Sequence, residues 1–139
     1  MATRSSQYKH YTINLKQLLS ALWTSVLFLY IYGDYFELYV PEKVAYLLDG
    51  KNLLNTPLKL FLATVSLTIP SLMIFLTLIV NPKWNRILNI STGIFLTFFT
   101  CIVSLSSFTE WRIFYLMLSI LESIITSIII WKAWNWPKS

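Results

Sequence analysis

The chain has 139 residues, of which 56% are hydrophobic and only 12% are charged, and its mean hydropathy is +0.62. A soluble domain carries about 25% charged residues, so this composition excludes an ordinary soluble fold and leaves no room for a separate soluble module. The net charge of +5 does not indicate nucleic-acid binding, because the lysines and arginines flank apolar segments and form no basic face.

Two residue types that common site chemistry requires are almost missing. Cys101 is the only cysteine and His10 the only histidine. A disulfide within the chain, a cysteine pair or metal cluster, and His-based activation of a nucleophile are therefore excluded. The sequence also has no glycine-rich phosphate-binding loop. We predict that the protein is not an enzyme and that it carries no cofactor and no metal.

The chain begins with a polar segment, which is followed by four long apolar segments. The first apolar segment ends in bulky aromatic and acidic residues such as Tyr32 and Asp34, so we expect a retained span and not a cleaved signal peptide. Spans are predicted at about 15–33, 57–80, 86–105 and 110–131. Each is close to the ~20 residues that cross the hydrocarbon layer as a helix, the only local structure that satisfies its own backbone in lipid.

Local signals mark several helix ends. Asn14 is a plausible start for the first helix, and Thr56 before Pro57 places a capping side chain and an N1 proline at the start of the second. The pair Asn81-Pro82 predicts a tight turn between the second and third spans. Ser107 with Glu110 fits a capping box before the fourth span.

The connection between the first two spans is long enough to contain a short helix. Pro41 could start it and Asp49-Gly50 could stop it, and Val44, Leu47 and Leu48 would share one face. This pattern favours an interfacial helix over about 41–49, although a loop packed on the mouth of the bundle would look similar. The predicted fold is all-α: a single domain over 1–139, a membrane-spanning four-helix bundle with a short interfacial helix between spans 1 and 2.

The lysines and arginines predict the orientation. Seven of them lie on the side of both termini and four on the other, which places the N and C termini in the cytoplasm by the positive-inside rule. The two groups are Arg4, Lys9, Lys16, Lys83, Arg86, Lys132 and Lys138, against Lys43, Lys51, Lys59 and Arg112.

Glu122 is the strongest candidate for a functional residue, because it lies near the middle of the fourth span. Ionisable groups at that depth usually face the bundle interior or a wet cavity, and removal from water favours the neutral carboxyl. It can be interpreted as a proton- or ligand-binding group, or as a neutral carboxyl that only fixes helix packing. The predicted binding set comprises Glu122, Ser119, Ser123, Thr97, Thr100 and Tyr115.

Each of the other spans also carries a polar stripe at helical spacing. If the stripes converge, Glu122 would be level with Thr97, Pro70 and Ser25, although small hydroxylated residues often serve helix packing alone. The stripes are Ser20, Trp23, Tyr30 and Asp34 in the first span, Thr64, Thr68 and Ser71 in the second, and Gly93, Thr97, Thr100, Cys101 and Ser104 in the third.

The end of the first span carries two carboxylates among several tyrosines. Asp34 and Glu37 are one helical turn apart, so with Tyr30 they could form an outer mouth of the bundle that gathers cations or polar head groups. The alternative is that both acids are simply solvated at an interface, where tyrosines are expected in any case.

Five segments of the chain are distinctive, namely SALW from Ser20, YIYGDYFELYVP from Tyr30, IPSLMIFLTLIV from Ile69, NRILNI from Asn85 and WKAWNWP from Trp131. With these segments the chain resembles an uncharacterised family of small bacterial four-span membrane proteins, a domain of unknown function, and more loosely DoxX-like proteins. The resemblance implies a four-helix bundle in the bacterial inner membrane and supplies no activity.

Two functions are compatible with these features. The first is a bundle that binds or transports a small molecule or ion through the buried carboxyl. The second is a structural or accessory subunit whose polar stripes contact another membrane protein. The expected partners are the lipid bilayer and either a homo-oligomer or another membrane protein, with no nucleic acid.

Overall fold

The computed structural model describes residues 12–106 and 109–137 and confirms the all-α fold. Four long helices and one short one follow in chain order, with a 3-10 turn at Glu110–Arg112 before the last. They are α1 (Leu15–Glu37), α2 (Lys43–Leu48), α3 (Pro57–Ile79), α4 (Pro82–Ser106) and α5 (Ile113–Trp134). All four long helices, the last taken with the 3-10 turn, are long and apolar enough to cross a membrane, as a multi-pass protein requires.

The helix starts follow from the local sequence. The Asn14 side chain accepts a hydrogen bond from the backbone N–H of Lys16 at 2.9 Å, and the Thr56 hydroxyl accepts one from that of Lys59 at 3.3 Å. The third span begins at Pro82, earlier than predicted, because Asn81 Oδ1 accepts the N–H of Trp84 and Pro82 occupies the first turn. Ser107, half of the predicted capping box, lies outside the described residues.

The short helix α2 has the predicted position between the first two spans. It ends at Leu48, and Gly50 follows with a φ of +68°, a conformation that glycine adopts without strain. No α2 side chain is buried, and Leu48 is 83% exposed. An apolar face left uncovered by the bundle suits an interfacial helix.

The four long helices pack in the order α3–α1–α5–α4 around the bundle, so that α1 and α4 are diagonal. Helix α3 contacts α4 only slightly, although a tight turn joins them. We call the end with this turn the turn end and the end with the 38–56 connection the loop end. Three of the lysines and arginines that predict the orientation lie outside the described residues, namely Arg4, Lys9 and Lys138.

The interior is more polar than the outer surface, as expected when lipid is the solvent. Phe28, Phe61, Phe75 and Phe98 are more than half exposed. The buried polar side chains are Ser20, Thr77, Asn85, Asn89, Thr100, Ser104, Ser119, Glu122 and Thr126. Hydrogen bonds among these groups replace the hydrophobic driving force, which lipid does not supply between helices.

The prediction of four converging polar stripes is wrong for the second span. Thr64, Thr68 and Ser71 are exposed, and the hydroxyls of Thr64 and Thr68 bond to carbonyls of their own helix. The buried face of α3 carries Pro70, Met73 and Thr77 instead. A threonine satisfied by the carbonyl four residues back can face lipid, so its polarity does not reveal the side that packs.

Ser25 and Cys101 are further corrections to the predicted stripes. Both are exposed, and the Ser25 hydroxyl donates to the Ala21 carbonyl of its own helix. Neither side chain therefore belongs to the polar interior. Pro70 is buried as expected.

Candidate functional site

Glu122 is 3% exposed and joins three helices through its carboxyl group. Its Oε1 accepts a hydrogen bond from the Tyr30 hydroxyl of α1 at 2.6 Å and another from the Thr100 hydroxyl of α4 at 2.7 Å. The Tyr30 and Thr100 oxygens are themselves 3.0 Å apart. The carboxyl therefore fixes the diagonal pair α1 and α4 against α5.

Thr97, Ser119 and Ser123 of the predicted binding set lie near Glu122 but form their hydrogen bonds with other groups. Thr97 pairs with Thr126 at 2.6 Å, one turn toward the turn end, and Ser104 pairs with Ser119, one turn toward the loop end. The Ser123 hydroxyl donates to the Ser119 carbonyl of its own helix at 2.8 Å. Three successive α4–α5 hydroxyl or carboxyl contacts thus run along this seam.

Only a small void adjoins Glu122. Its volume is about 10 Å³, and Tyr30, Gly33, Thr100 and Tyr115 contribute to its wall. That volume is about the minimum that a single water molecule needs. The void can therefore hold at most one water molecule, and a larger ligand cannot contact the carboxyl in this conformation.

A much larger cavity of about 490 Å³ opens at the loop end, where α3 and α4 separate. Ala63, Ser66 and Leu67 of α3 form one wall, and Leu96, Phe99 and Val103 of α4 form the other. The volume lies in the range of about 300–1,000 Å³ that is typical of small-molecule pockets. Tyr30 and Tyr115 line both this cavity and the small void, so they separate it from Glu122.

The cavity has one charged end, built from the predicted outer mouth. Glu37 Oε1 accepts from Lys43 Nζ at 2.8 Å and also from the Arg112 guanidinium. Asp34 lines the cavity one turn before Glu37 and has no hydrogen-bond or ion-pair partner among residues 12–106 and 109–137. The structure thus brings Asp34, Glu37 and Tyr30 together at one cavity, with two cations that the mouth prediction did not include.

The sequence profile of one family, described as a family of unknown function (DUF6326), matches residues 8–139. The chain belongs to the DUF6326 family. No curated protein and no solved structure matches the chain. Membership therefore supplies no activity or ligand, and functional inference for this DUF6326 chain depends on its own geometry.

Sequence reasoning missed a second polar network in the DUF6326 chain, near the turn end. The Trp23 indole N–H donates to Asn89 Oδ1 at 2.7 Å, and Asn89 Nδ2 donates to Asn85 Oδ1 at 2.6 Å. Asn85 Nδ2 in turn donates to the Thr77 carbonyl at 2.6 Å. Two asparagines four residues apart were the available signal, but the predicted start at Arg86 left Asn85 outside the span.

Within the two stretches that the structure describes, no three His, Cys, Asp or Glu side chains come together as ligands.

Proposed function

We propose that this DUF6326 member is a non-enzymatic membrane protein that binds a small amphiphilic molecule in the cavity between α3 and α4. One observation carries the proposal, namely a cavity whose walls are apolar and whose loop end is charged. A molecule with an apolar chain and a polar head matches both parts.

The apolar part of the cavity favours an alkyl or similar chain. Leu67, Leu96, Phe99 and Val103 present hydrocarbon to the space, at a seam where α3 and α4 contact each other only slightly. We propose that an alkyl chain enters the cavity from the bilayer through this seam. Because lipid already solvates such a chain, the charged end must supply most of the selectivity.

Glu122 is proposed to act at the floor of the cavity and not as a direct ligand. Its hydrogen bond fixes the Tyr30 hydroxyl, and the Tyr30 ring lines the cavity. A ligand that moves Tyr30 would disturb the bond to Glu122 and could change its protonation through the adjacent water-sized void. Transport would further require the Trp23–Asn89 network to open, so binding is the function favoured by this conformation.

We further propose that the protein lies in a bacterial inner membrane with its turn end in the cytoplasm. The resemblance noted in the sequence supports the bacterial membrane, and the charge distribution supports the orientation. Five of the six acids lie at the loop end, the exception being Glu122. Lys16, Lys83, Arg86 and Lys132 lie at the turn end, where Lys16 Nζ bonds to the Val80 carbonyl at 2.7 Å.

Filling the cavity tests the proposal. Ala63→Phe places a ring in the α3 wall, whereas Ala21→Phe adds the same ring to the exposed side of α1. Protein extracted in a mild detergent is analysed by mass spectrometry for co-purified small molecules. We expect wild type and Ala21→Phe to retain an amphiphile and Ala63→Phe to lose at least about nine-tenths of it, because its volume is occupied.

Equal retention by Ala63→Phe and Ala21→Phe would show that any bound amphiphile lies on the outer surface. An empty wild-type protein, in mild detergent and in native membranes alike, would contradict ligand binding. Size-exclusion chromatography of each variant confirms that the bundle remains folded.

An accessory role is the second candidate, and one surface favours it. A groove of about 660 Å³ runs along the outside of α4 and α5, lined by Ser119, Ser123 and Ser127 among leucines and isoleucines. Small side chains allow close approach of another helix, from a second copy or another membrane protein. Cross-linking in membranes followed by mass determination would detect such a partner.

A further inference from the structure

The charges at the loop end of the cavity point to a class of ligand. We infer that the bound amphiphile carries one ammonium group and that Asp34 is its counter-ion. This inference rests on the proposed function, and it adds which head group the cavity selects.

The cations at the loop end already have partners. Lys43 and Arg112 both contact Glu37 Oε1, and the three side chains are 15–25% exposed. Lys51 lies 3.7 Å from Asp49, and Lys59 Nζ donates to the Asn55 side chain at 2.9 Å. Between residues 38 and 112, these four are all the lysines and arginines at the loop end. Lys83 and Arg86 lie at the turn end.

Asp34 is the charged group of the cavity for which no direct ion pair or hydrogen bond is found among the described residues; Lys43 is close enough to attract it, but the Lys43 ammonium pairs with Glu37. It lies four residues after Tyr30 on α1, so both project toward the same space, which Asp34 borders. In the part of the chain that the structure describes, no cation or hydrogen-bond donor contacts it. Asp34 is exposed at the end of the cavity, so its carboxylate is accessible to a ligand. A ligand cation there would gain a charge-assisted contact.

The surroundings of Asp34 favour an ammonium over an anion. Tyr30, Tyr115 and Phe99 line the same cavity, and aromatic faces attract ammonium groups. An anionic head would have to compete with Glu37 for Lys43 and Arg112 while facing the Asp34 charge. The alkyl chain would extend from Asp34 between Leu67 and Leu96.

Three ten-carbon probes that differ only in their head group test this inference. Decylammonium, decanol and decanoate are titrated against the full chain in nanodiscs of phosphatidylcholine, a lipid without net charge, with empty nanodiscs as the blank. We expect wild type to bind decylammonium at least about tenfold more tightly than decanol, as one charge-assisted contact permits, and decanoate least tightly.

Asp34→Asn is expected to weaken decylammonium binding about tenfold and to leave decanol binding unchanged. The matched control is Asp49→Asn, which removes an acid at the same end of the bundle but outside the cavity, and it should behave as wild type. Decanol binding by Asp34→Asn also reports that the variant is folded.

The outcomes separate the two proposals. If the three probes bind wild type equally, or if Asp34→Asn keeps the preference for decylammonium, the ammonium inference is wrong and amphiphile binding stands. If no probe binds better than to empty nanodiscs, both proposals are wrong. A similar loss in Asp34→Asn and Asp49→Asn would indicate a general surface-charge effect and would overturn the role of Asp34.

Discussion

The two ends of the bundle differ in how their polar side chains are paired, although Thr77 Oγ1 and Arg86 Nε at the turn end are buried without a hydrogen-bond partner among the described residues. At the turn end, Trp23, Asn85 and Asn89 are at most 1% exposed, and their side chains bond to one another and to the Thr77 carbonyl. At the loop end, α3 and α4 separate around a cavity of about 490 Å³, and Asp34 borders it with no direct ion pair or hydrogen bond to residues 12–106 or 109–137. Glu122 lies between these regions and bonds to Tyr30 of the cavity wall.

The comparison indicates which polar residues maintain the fold and which are available to a ligand. A network that uses its donors and acceptors internally has little to offer a ligand, and removal of one member leaves other groups unsatisfied. A charged group beside open space is instead available to a ligand, and its removal leaves no other group unsatisfied. The turn end is therefore expected to respond to mutation through stability, and the loop end through binding.

The largest expected effect on stability comes from Asn89→Leu at the turn end. The change leaves the Trp23 indole N–H and Asn85 Oδ1 buried without their partner, which should lower the free energy of unfolding by about 2–3 kcal/mol. Reversible unfolding in mixed dodecylmaltoside–SDS micelles measures this. Ser91→Leu is the control, because the Ser91 hydroxyl is exposed and bonds only within α4. Equal stability of the two variants would contradict a structural role for the network.

Glu122 should give an intermediate effect that depends on the replacement. Leucine leaves the Tyr30 and Thr100 hydroxyls without their acceptor, for an expected loss of about 1–2 kcal/mol. Glutamine keeps a side-chain carbonyl that can accept both bonds, so Glu122→Gln should lose less than about 1 kcal/mol. The same unfolding assay ranks the two. If Glu122→Gln is as unstable as Glu122→Leu, the carboxyl does not stabilise the fold through these two hydrogen bonds.

The smallest effects are expected at two glycines, one in each half. A Cβ at Gly93 would lie 2.8 Å from Ile130 Cγ1, so Gly93→Ala should cost about 1 kcal/mol through overpacking between α4 and α5. A Cβ at Gly33 would lie 3.5 Å from Tyr115 Cε2, an ordinary contact, and Gly33→Ala should change stability by less than about 0.5 kcal/mol. Thermal unfolding of both variants compares them, and a larger loss for Gly33→Ala than for Gly93→Ala would contradict the closer approach of the helices at Gly93.

Much of the architecture could be predicted because it depends on local sequence. The four apolar segments are long enough to span a bilayer, and Asn14, Thr56 and Pro57 begin helices where expected. The position of Glu122 within its segment also predicted that it faces the bundle interior, where it is buried. Asn85 was missed because the third helix was predicted to begin one residue after it.

The sequence did not reveal which side of α3 faces inward. Thr64 and Thr68 of α3 look like interior residues, yet they face outward because each hydroxyl bonds to its own backbone. It also could not pair Glu122 with Tyr30, which is 92 residues earlier and on a different helix. Periodicity alone carries no information about either choice.

Length, apolarity and capping residues thus determined the helices of this protein and their number, because backbone hydrogen bonds in lipid must be satisfied within each segment. Only the tertiary structure decided that α3 and α4 separate at the loop end, and that Lys43 and Arg112 pair with Glu37 and not with Asp34. Those outcomes depend on how whole helices pack, and helix contacts in lipid follow shape and hydrogen bonding more than hydrophobic pattern.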